Sequence, residues 1–218
     1  MKFSTTFFTL SALLLPLFGL GAQNQFTSLL EVDSCANWIR AVFADPIDDT
    51  QTNFVLLYQH RGAMIETGDN ANFGTLIDLN GVGRVEVNRI GASSGDTLFL
   101  LDKIQHDYLV ENEATMVVLQ TDLNGTPITE EITAPPYDGV TGGIIFLPST
   151  NELVVNANLD ASGAGYAGGE SSIRESQCGA FTNANNYFYA EDTWRGAYKG
   201  QSLTFPSVLN GREMGRGP

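Results

Sequence analysis

Cysteine, histidine, tryptophan and basic side chains are all scarce in this chain of 218 residues. It carries two Cys, two His and two Trp, and 11 Lys and Arg stand against 25 Asp and Glu, a formal net charge of −14. The shortage of cations excludes nucleic acid as the default partner, because phosphate binding depends on neutralisation by Lys and Arg. His60 and His106 have no second His or Cys close in sequence, so no metal-ligand spacing is present. Each is expected to be a partly exposed strand or loop residue. Beyond the first twenty or so residues no apolar run is long enough to cross a membrane, and no stretch keeps a helical period. The mature chain is therefore expected to have no membrane span and no helical core.

The N-terminus does carry an apolar stretch. Lys2 precedes residues 7–20, which are mostly apolar, and the small residues Gly19, Gly21 and Ala22 precede polar Gln23. This is the order of a secretory signal peptide, residues 1–22, and it is too short for a spanning helix. Its removal takes Lys2 and no acid, leaving a formal charge of −15. In an exported chain an even cysteine count permits one disulfide, Cys35 to Cys178, closing a loop of about 140 residues, for which the chain-entropy model gives on the order of 5 kcal/mol. Two free thiols are the other outcome, since sequence does not place the two Cα atoms within bonding range.

Short apolar runs between turn formers organise the rest. Residues 38–43, WIRAVF, read as a strand, and residues 54–58, FVLLY, as a strand buried on both faces. A further short strand is expected at 75–79, a hairpin from 84–90 to 97–101, and a buried strand at 114–120, ATMVVLQ. A polar strand of edge character follows at 128–133. Asp78-Leu79-Asn80-Gly81 and Asp122-Leu123-Asn124-Gly125 are twin turn signals, because Asn-Gly supplies the positive φ angles of a tight hairpin. Pro135 and Pro136 then interrupt any ladder, which places a domain boundary near Tyr137. About eight short strands with no helical period make an all-β domain the expectation.

Residues 140–169 alternate apolar runs, 144–147 and 153–155, with turns of Gly, Asn, Asp and Ser. Residues 170–218 are polar and Gly-rich with scattered aromatics, a composition of long loops pinned by aromatic anchors. Of these, Tyr187, Tyr189 and Trp194 are candidates for stacking on sugars, against the plainer reading that they form local core.

Three motifs invite a chemical reading. Gly91-Ala92-Ser93-Ser94-Gly95 matches a nucleophile elbow, which needs a strand, a sharp turn and a helix; here the following segment reads as a strand. Gly163-Ala164-Gly165-Tyr166-Ala167-Gly168 matches a dinucleotide fingerprint, which also needs a helix opening in its second half; the residues that follow offer no apolar helix face. The two Asp-x-Asn-Gly turns are like the opening of calcium loops but lack the closing Glu. A structural turn is the main reading there, with weak Ca binding as the other. No catalytic, cofactor-binding or metal-ligating residue is assigned.

Several segments together resemble an extracellular protein family of Bacteroidota. Residues 54–65, FVLLYQHRGAMI, are similar to its apolar strand and Gln-x-x-Gly-Ala segment, through Gln59, Gly62 and Ala63. Ser94, Gly95, Asp96 and Thr97 match its Ser-Gly-(Asn/Asp)-Thr hairpin. Residues 134–147, APPYDGVTGGIIFL, resemble its junction, and residues 153–169 its Asn-Ala-x-(Ile/Leu)-Asp-Ala-Ser-Gly run. Tyr137 stands where the family has Trp, and the segment at 170–180 is shorter. The resemblance implies the N-terminal region of a longer secreted or cell-surface protein, with a glycine-rich region and a gliding-motility-associated or type IX secretion sorting domain further on.

The combined expectation is a β-sandwich-like or barrel-like part at residues 23–137, β-helix-like rungs at 138–169 and a loop-rich exit at 170–218. The expected role is non-enzymatic: a structural or adhesive surface protein with a cell-surface, matrix or polysaccharide partner. The alternative is a carbohydrate-binding or carbohydrate-active β-helix.

Overall fold

The computed structural model describes residues 24–48, 50–68, 70–169, 188–189, 197–198, 200–205 and 214–215. The expected leader at 1–22, Cys178, Tyr187 and Trp194 lie outside these residues, and of Tyr189 only the backbone is described. All regular elements among the described residues are strands, apart from one 3-10 turn at Glu111–Glu113. In chain order these are β1 (Gln25–Ser28), β2 (Glu31–Asp33), β3 (Trp38–Arg40), β4 (Asn53–Gln59), β5 (Met64–Ile65), β6 (Leu76–Asp78), β7 (Val85–Ser94), β8 (Thr97–Leu100), β9 (Thr115–Thr121), β10 (Ile132–Thr133), β11 (Leu159–Asp160), β12 (Phe188–Tyr189), β13 (Ala197–Tyr198) and β14 (Met214–Gly215).

Seven strands form one antiparallel sheet in the order β1-β9-β4-β7-β8-β3-β2. The two continuous apolar segments, β4 and β9, lie side by side near its middle, with Val55 opposite Leu119 and Leu57 opposite Val117. Side chains alternate across a strand, so each strand supplies both faces. One face packs Val55, Leu57, Val117 and Leu119 against Leu29, Ile39, Leu98, Leu100, Ile104 and Tyr108. The opposite face packs Leu56, Met116 and Val118 against Tyr137, Ile144 and Phe146 from later in the chain.

The two edges of this sheet are joined. β1 lies at one end and β2 at the other, yet only Leu29 and Leu30 separate them. Leu29 N donates to Thr115 O beside β9, and Leu30 N donates to Arg40 O in β3, at 2.9 Å each. One stretch, residues 25–33, therefore satisfies the backbone of both flanking strands. Residues 26–33, which carry no clear pattern in sequence, have the largest topological role.

Beyond β9 the pairing changes direction. Ile128 bridges Val155 in parallel, and β10 pairs with β11 in parallel, Ile132 with Leu159 and Thr133 with Asp160. Each pair is separated by 27 positions, as are Asn124 and Asn151, whose side chains bond at 2.6 Å; the amides of Ile128, Ile132 and Ala134 accordingly reach the carbonyls of Val154, Asn158 and Asp160, and after the prolines Tyr137 N reaches Ala164 O at 2.8 Å, a slip of one residue. This ladder crosses Pro135 and Pro136: Ala134 N donates to Asp160 O before them and Tyr137 N donates after them. Residues 128–133 thus pair with the 154–160 segment, and β10 is an edge strand of that two-stranded sheet. Gly142 fits this crossover because a Cβ there would lie 2.4 Å from Pro136 O, and its φ of 105° suits glycine alone.

Other expectations are corrected in part. The strand expected at 38–43 ends at Arg40. Asn80 and Gly81, and likewise Asn124 and Gly125, do adopt positive φ. Neither pair joins a hairpin, since β6 pairs with β5 and the chain after β9 pairs with 154–160. A tight turn fixes a reversal, but the partner is chosen by what the next segment can bury. The hairpin of β7 and β8 is present, with a bulge at Gly91 and a turn at Gly95 and Asp96.

The two faces predict different sensitivities. Leu57→Ala, at a fully buried position, is expected to cost about 2–5 kcal/mol in urea unfolding. Val87→Ala, on a half-exposed side chain of β7, is expected to stay within about 0.5 kcal/mol of the parent chain.

Candidate functional site

The polar centre of the molecule lies where β4 ends and the parallel segments begin. β4 runs straight into Gln59, His60 and Arg61, which are 0, 1 and 6% exposed. This corrects the expectation of a partly exposed His60. Gln59 is satisfied by its surroundings: its amide nitrogen donates to Asn80 O at 2.7 Å and to Arg61 O at 3.2 Å, and its carbonyl accepts from Leu109 N at 3.2 Å.

His60 is gripped by a tyrosine from each parallel segment. Tyr137 Oη lies 3.0 Å from His60 Nδ1 and donates to Gly139 O at 2.7 Å. Tyr166 Oη donates to the backbone carbonyl of His60 at 2.6 Å. The two tyrosine rings meet edge to face at 4.9 Å, and the Arg61 guanidinium carbon lies 5.5 Å from the centre of the Tyr137 ring. Such contacts are worth about 0.5–2 kcal/mol each when desolvated. A hydroxyl has one proton, and the Tyr137 proton goes to Gly139 O. The His60 tautomer assigned by this network therefore has Nδ1–H donating to Tyr137 Oη and a bare Nε2.

The electrostatics follow from burial. Burial, then the Arg61 charge, pushes the His60 imidazole down to about 4, against weaker opposition from the Glu113 and Val140 carbonyls and from Asp138. Burial likewise raises Tyr137 and Tyr166 to about 12. Neutral His60 and two un-ionised tyrosines form a structural hydrogen-bond relay. Asp138 is partly desolvated, but the Thr141 and Val140 amides outweigh this and hold its carboxyl below the usual range.

The acidic turns are built for stacking. Asp122 Oδ1 accepts from Asn124 N and Thr150 N at 2.8 and 3.0 Å, and its Oδ2 accepts from Thr150 Oγ1 at 2.6 Å. Both carboxylate oxygens are thus spent on joining residues 122–124 to residue 150. In the other turn, Asp78 Oδ1 accepts from Asn80 N at 2.8 Å.

The remaining sequence candidates are dispersed. Ser93 lies within β7, opposite Leu98, so strand is followed by turn and strand where an elbow needs a helix. Residues 163–169 form no helix, and Tyr166 is used on His60. Cys35 is exposed beside an open hollow of about 550 Å³ lined by Ser34, Cys35, Lys103, Ile104, Gln105, His106 and Asp107. No three His, Cys, Asp or Glu side chains converge into a metal-binding group among the described residues. The His60 cluster escaped sequence reasoning because its members lie about 77 and 106 positions apart. The one local signal was the placement of Gln-His-Arg directly behind an apolar strand.

Removing either tyrosine hydroxyl should be felt as stability. Tyr166→Phe leaves the His60 carbonyl without its donor, and Tyr137→Phe strips the partner from His60 Nδ1, each costing about 1–3 kcal/mol by urea unfolding. Because both hold the same histidine, the double variant should lose less than the sum of the two single losses.

No family model matches the sequence, and no curated protein matches it. Among solved structures the chain is similar to the Gp54 tailspike of Acinetobacter baumannii bacteriophage AP22, in complex with A. baumannii capsular saccharide, at 15% identity and a TM-score of 0.31. The match covers 51% of this chain and 17% of that one, so this chain spans about one sixth of the tailspike's length.

Proposed function

We propose that this chain is a non-enzymatic structural or adhesive unit of a secreted or cell-surface protein. In it a small closed β-barrel caps a parallel β-coil of 27-residue repeat. The carrying observation is the constant spacing of 27 that relates Asn124 to Asn151, Ile128 to Val155, Ile132 to Leu159 and Thr133 to Asp160. A fixed offset with side chains of one kind stacked upon each other is how a coil repeats, and a bonded Asn pair is the polar counterpart of the stacked aliphatics. Barrel closure is supported by residues 25–33, which pair with β9 on one side and β3 on the other.

Capping follows from burial. A coil of this kind does not bury its own end, so it needs a terminal element of different construction. Here the face of β4 and β9 supplies it, covering Tyr137, Ile144 and Phe146. Asn24 adds a polar clamp, accepting from Phe146 N at 2.9 Å and donating to Phe146 O at 2.6 Å.

The acidic side chains of the coil support a structural role over catalysis. General acid chemistry needs a carboxyl raised toward neutral pH. Asp122, Asp138 and Asp160 are all held below the usual carboxylate range, in each case with turn amides or hydroxyls donating to them. The leader at residues 1–22 and the Bacteroidota resemblance support export to the cell surface, with extracellular polysaccharide as the partner to test.

A polysaccharide panel decides between the two classes of activity. The chain should bind surface polysaccharides or matrix, or associate structurally, while releasing no reducing ends or unsaturated products. Measurable depolymerisation of any member would overturn the non-enzymatic reading.

A further inference from the structure

We infer that His60 is an acid-sensitive latch between the barrel and the parallel coil, closed while its imidazole is neutral and opened by its protonation. The proposal rests on the capped-coil reading above.

The geometry places the histidine on the seam. His60 and Arg61 continue β4, whereas Tyr137 and Tyr166 belong to the two segments that stack in parallel. Both hydroxyls converge on this one residue, Tyr137 on the ring and Tyr166 on the carbonyl. His60 Nε2 and Arg61 Nε are buried and meet no hydrogen-bonding partner among the described residues. In the neutral tautomer a bare Nε2 costs little more than one unused lone pair. A proton added there creates a buried N–H without an acceptor and a second cation beside a nearly buried guanidinium.

The groups facing the ring set the sign. Arg61 opposes protonation, while Asp138 and the carbonyls of Glu113 and Val140 favour it, neither carbonyl reaching hydrogen-bond geometry with Nε2. Tyr58, Tyr137 and Tyr166 also surround it, and the two stacking tyrosines stay un-ionised throughout acid and neutral pH. The folded value lies near 4, below the free value of 6.5, so the latched form binds fewer protons than the released form. Its contribution is complete above about 6.5 and is lost progressively as pH falls toward 4. Asp48, Asp122, Asp138 and Asp160 are held below the usual carboxylate range by the amides and hydroxyls that donate to them. His106, the only other histidine, is exposed and lies away from the seam.

Amide hydrogen exchange on the full chain, at about pH 7 and about pH 4.5 and corrected for intrinsic rates, tests this directly. Opening of residues 128–137 and 154–164 should rise roughly tenfold or more at the lower pH while β4 and β9 keep their protection. His60→Asn, which keeps a donor near Nδ1 and takes no proton, should remove the pH dependence. Arg61→Met, a second and independent variant, should shrink the acid response several-fold, because with the opposing cation gone the latched imidazole takes its proton at a value closer to that of the released form. An acid response retained in His60→Asn, no response in the parent chain, an undiminished response in Arg61→Met, or equal loss of protection across barrel and coil would each overturn the latch. A coil register that differs from 27 would instead show as absent protection of residues 128–137 at neutral pH, which would overturn the latch together with the capped-coil reading.

Discussion

Burial of β9 from both sides is the constraint on which the rest of the structure depends. An antiparallel sheet can leave one face in water, and many do. Here Val117 and Leu119 point into one apolar cluster while Met116 and Val118 point into another. The first cluster is completed by the curvature of the sheet, through Leu29, Ile39 and Leu98. The second has no strand left to complete it, so the chain that follows β9 must return over the same face. It does so as residues 134–148, and the parallel ladder with 154–160 then rests on that return.

The remaining features follow from this order of events. A segment lying on a sheet exposes its own backbone, and backbone groups need partners. Residues 128–137 find theirs in the next pass of the chain, 26 or 27 positions on, and Asp122, Asn124, Asn151 and Thr150 lock the corner. Val155 and Leu159 in the second pass are 42 and 45% exposed, whereas Ile128 in the first is 7% exposed. Coverage thus decreases with distance from the seven-stranded sheet, which supports the proposed capped stack. Tyr137 and Tyr166 tie both passes to the end of β4, which explains why that strand ends in Gln-His-Arg.

Legibility in the sequence tracked the range of the interactions. FVLLY and ATMVVLQ announced strands buried on both sides, because unbroken apolar runs have no wet face. The β7–β8 hairpin was legible because its Ser-Gly-Asp-Thr turn is local. Asn80-Gly81 and Asn124-Gly125 gave the turn conformation but misled on the partner, since turn chemistry does not specify where the next strand pairs. The parallel ladder left only the faint echo of Asn124, Ile128 and Ile132 in Asn151, Val155 and Leu159, too sparse to be seen without the fold. The closure by residues 25–33 was invisible, because Gln25–Ser28 and Glu31–Asp33 are short, mixed and unremarkable in period. His60 was misjudged as partly exposed because its partners lie in two distant segments.

The central claim, that the chain after β9 forms a parallel coil of fixed 27-residue spacing seated on the barrel, is tested most directly by through-hydrogen-bond couplings in NMR. The account predicts couplings from the amide nitrogen of Ile132 to the carbonyl carbon of Asn158, and from Ala134 to Asp160. Couplings that place either amide on a strand of the antiparallel sheet, or on any carbonyl other than the one a 27-residue Cα register puts opposite it, would contradict it.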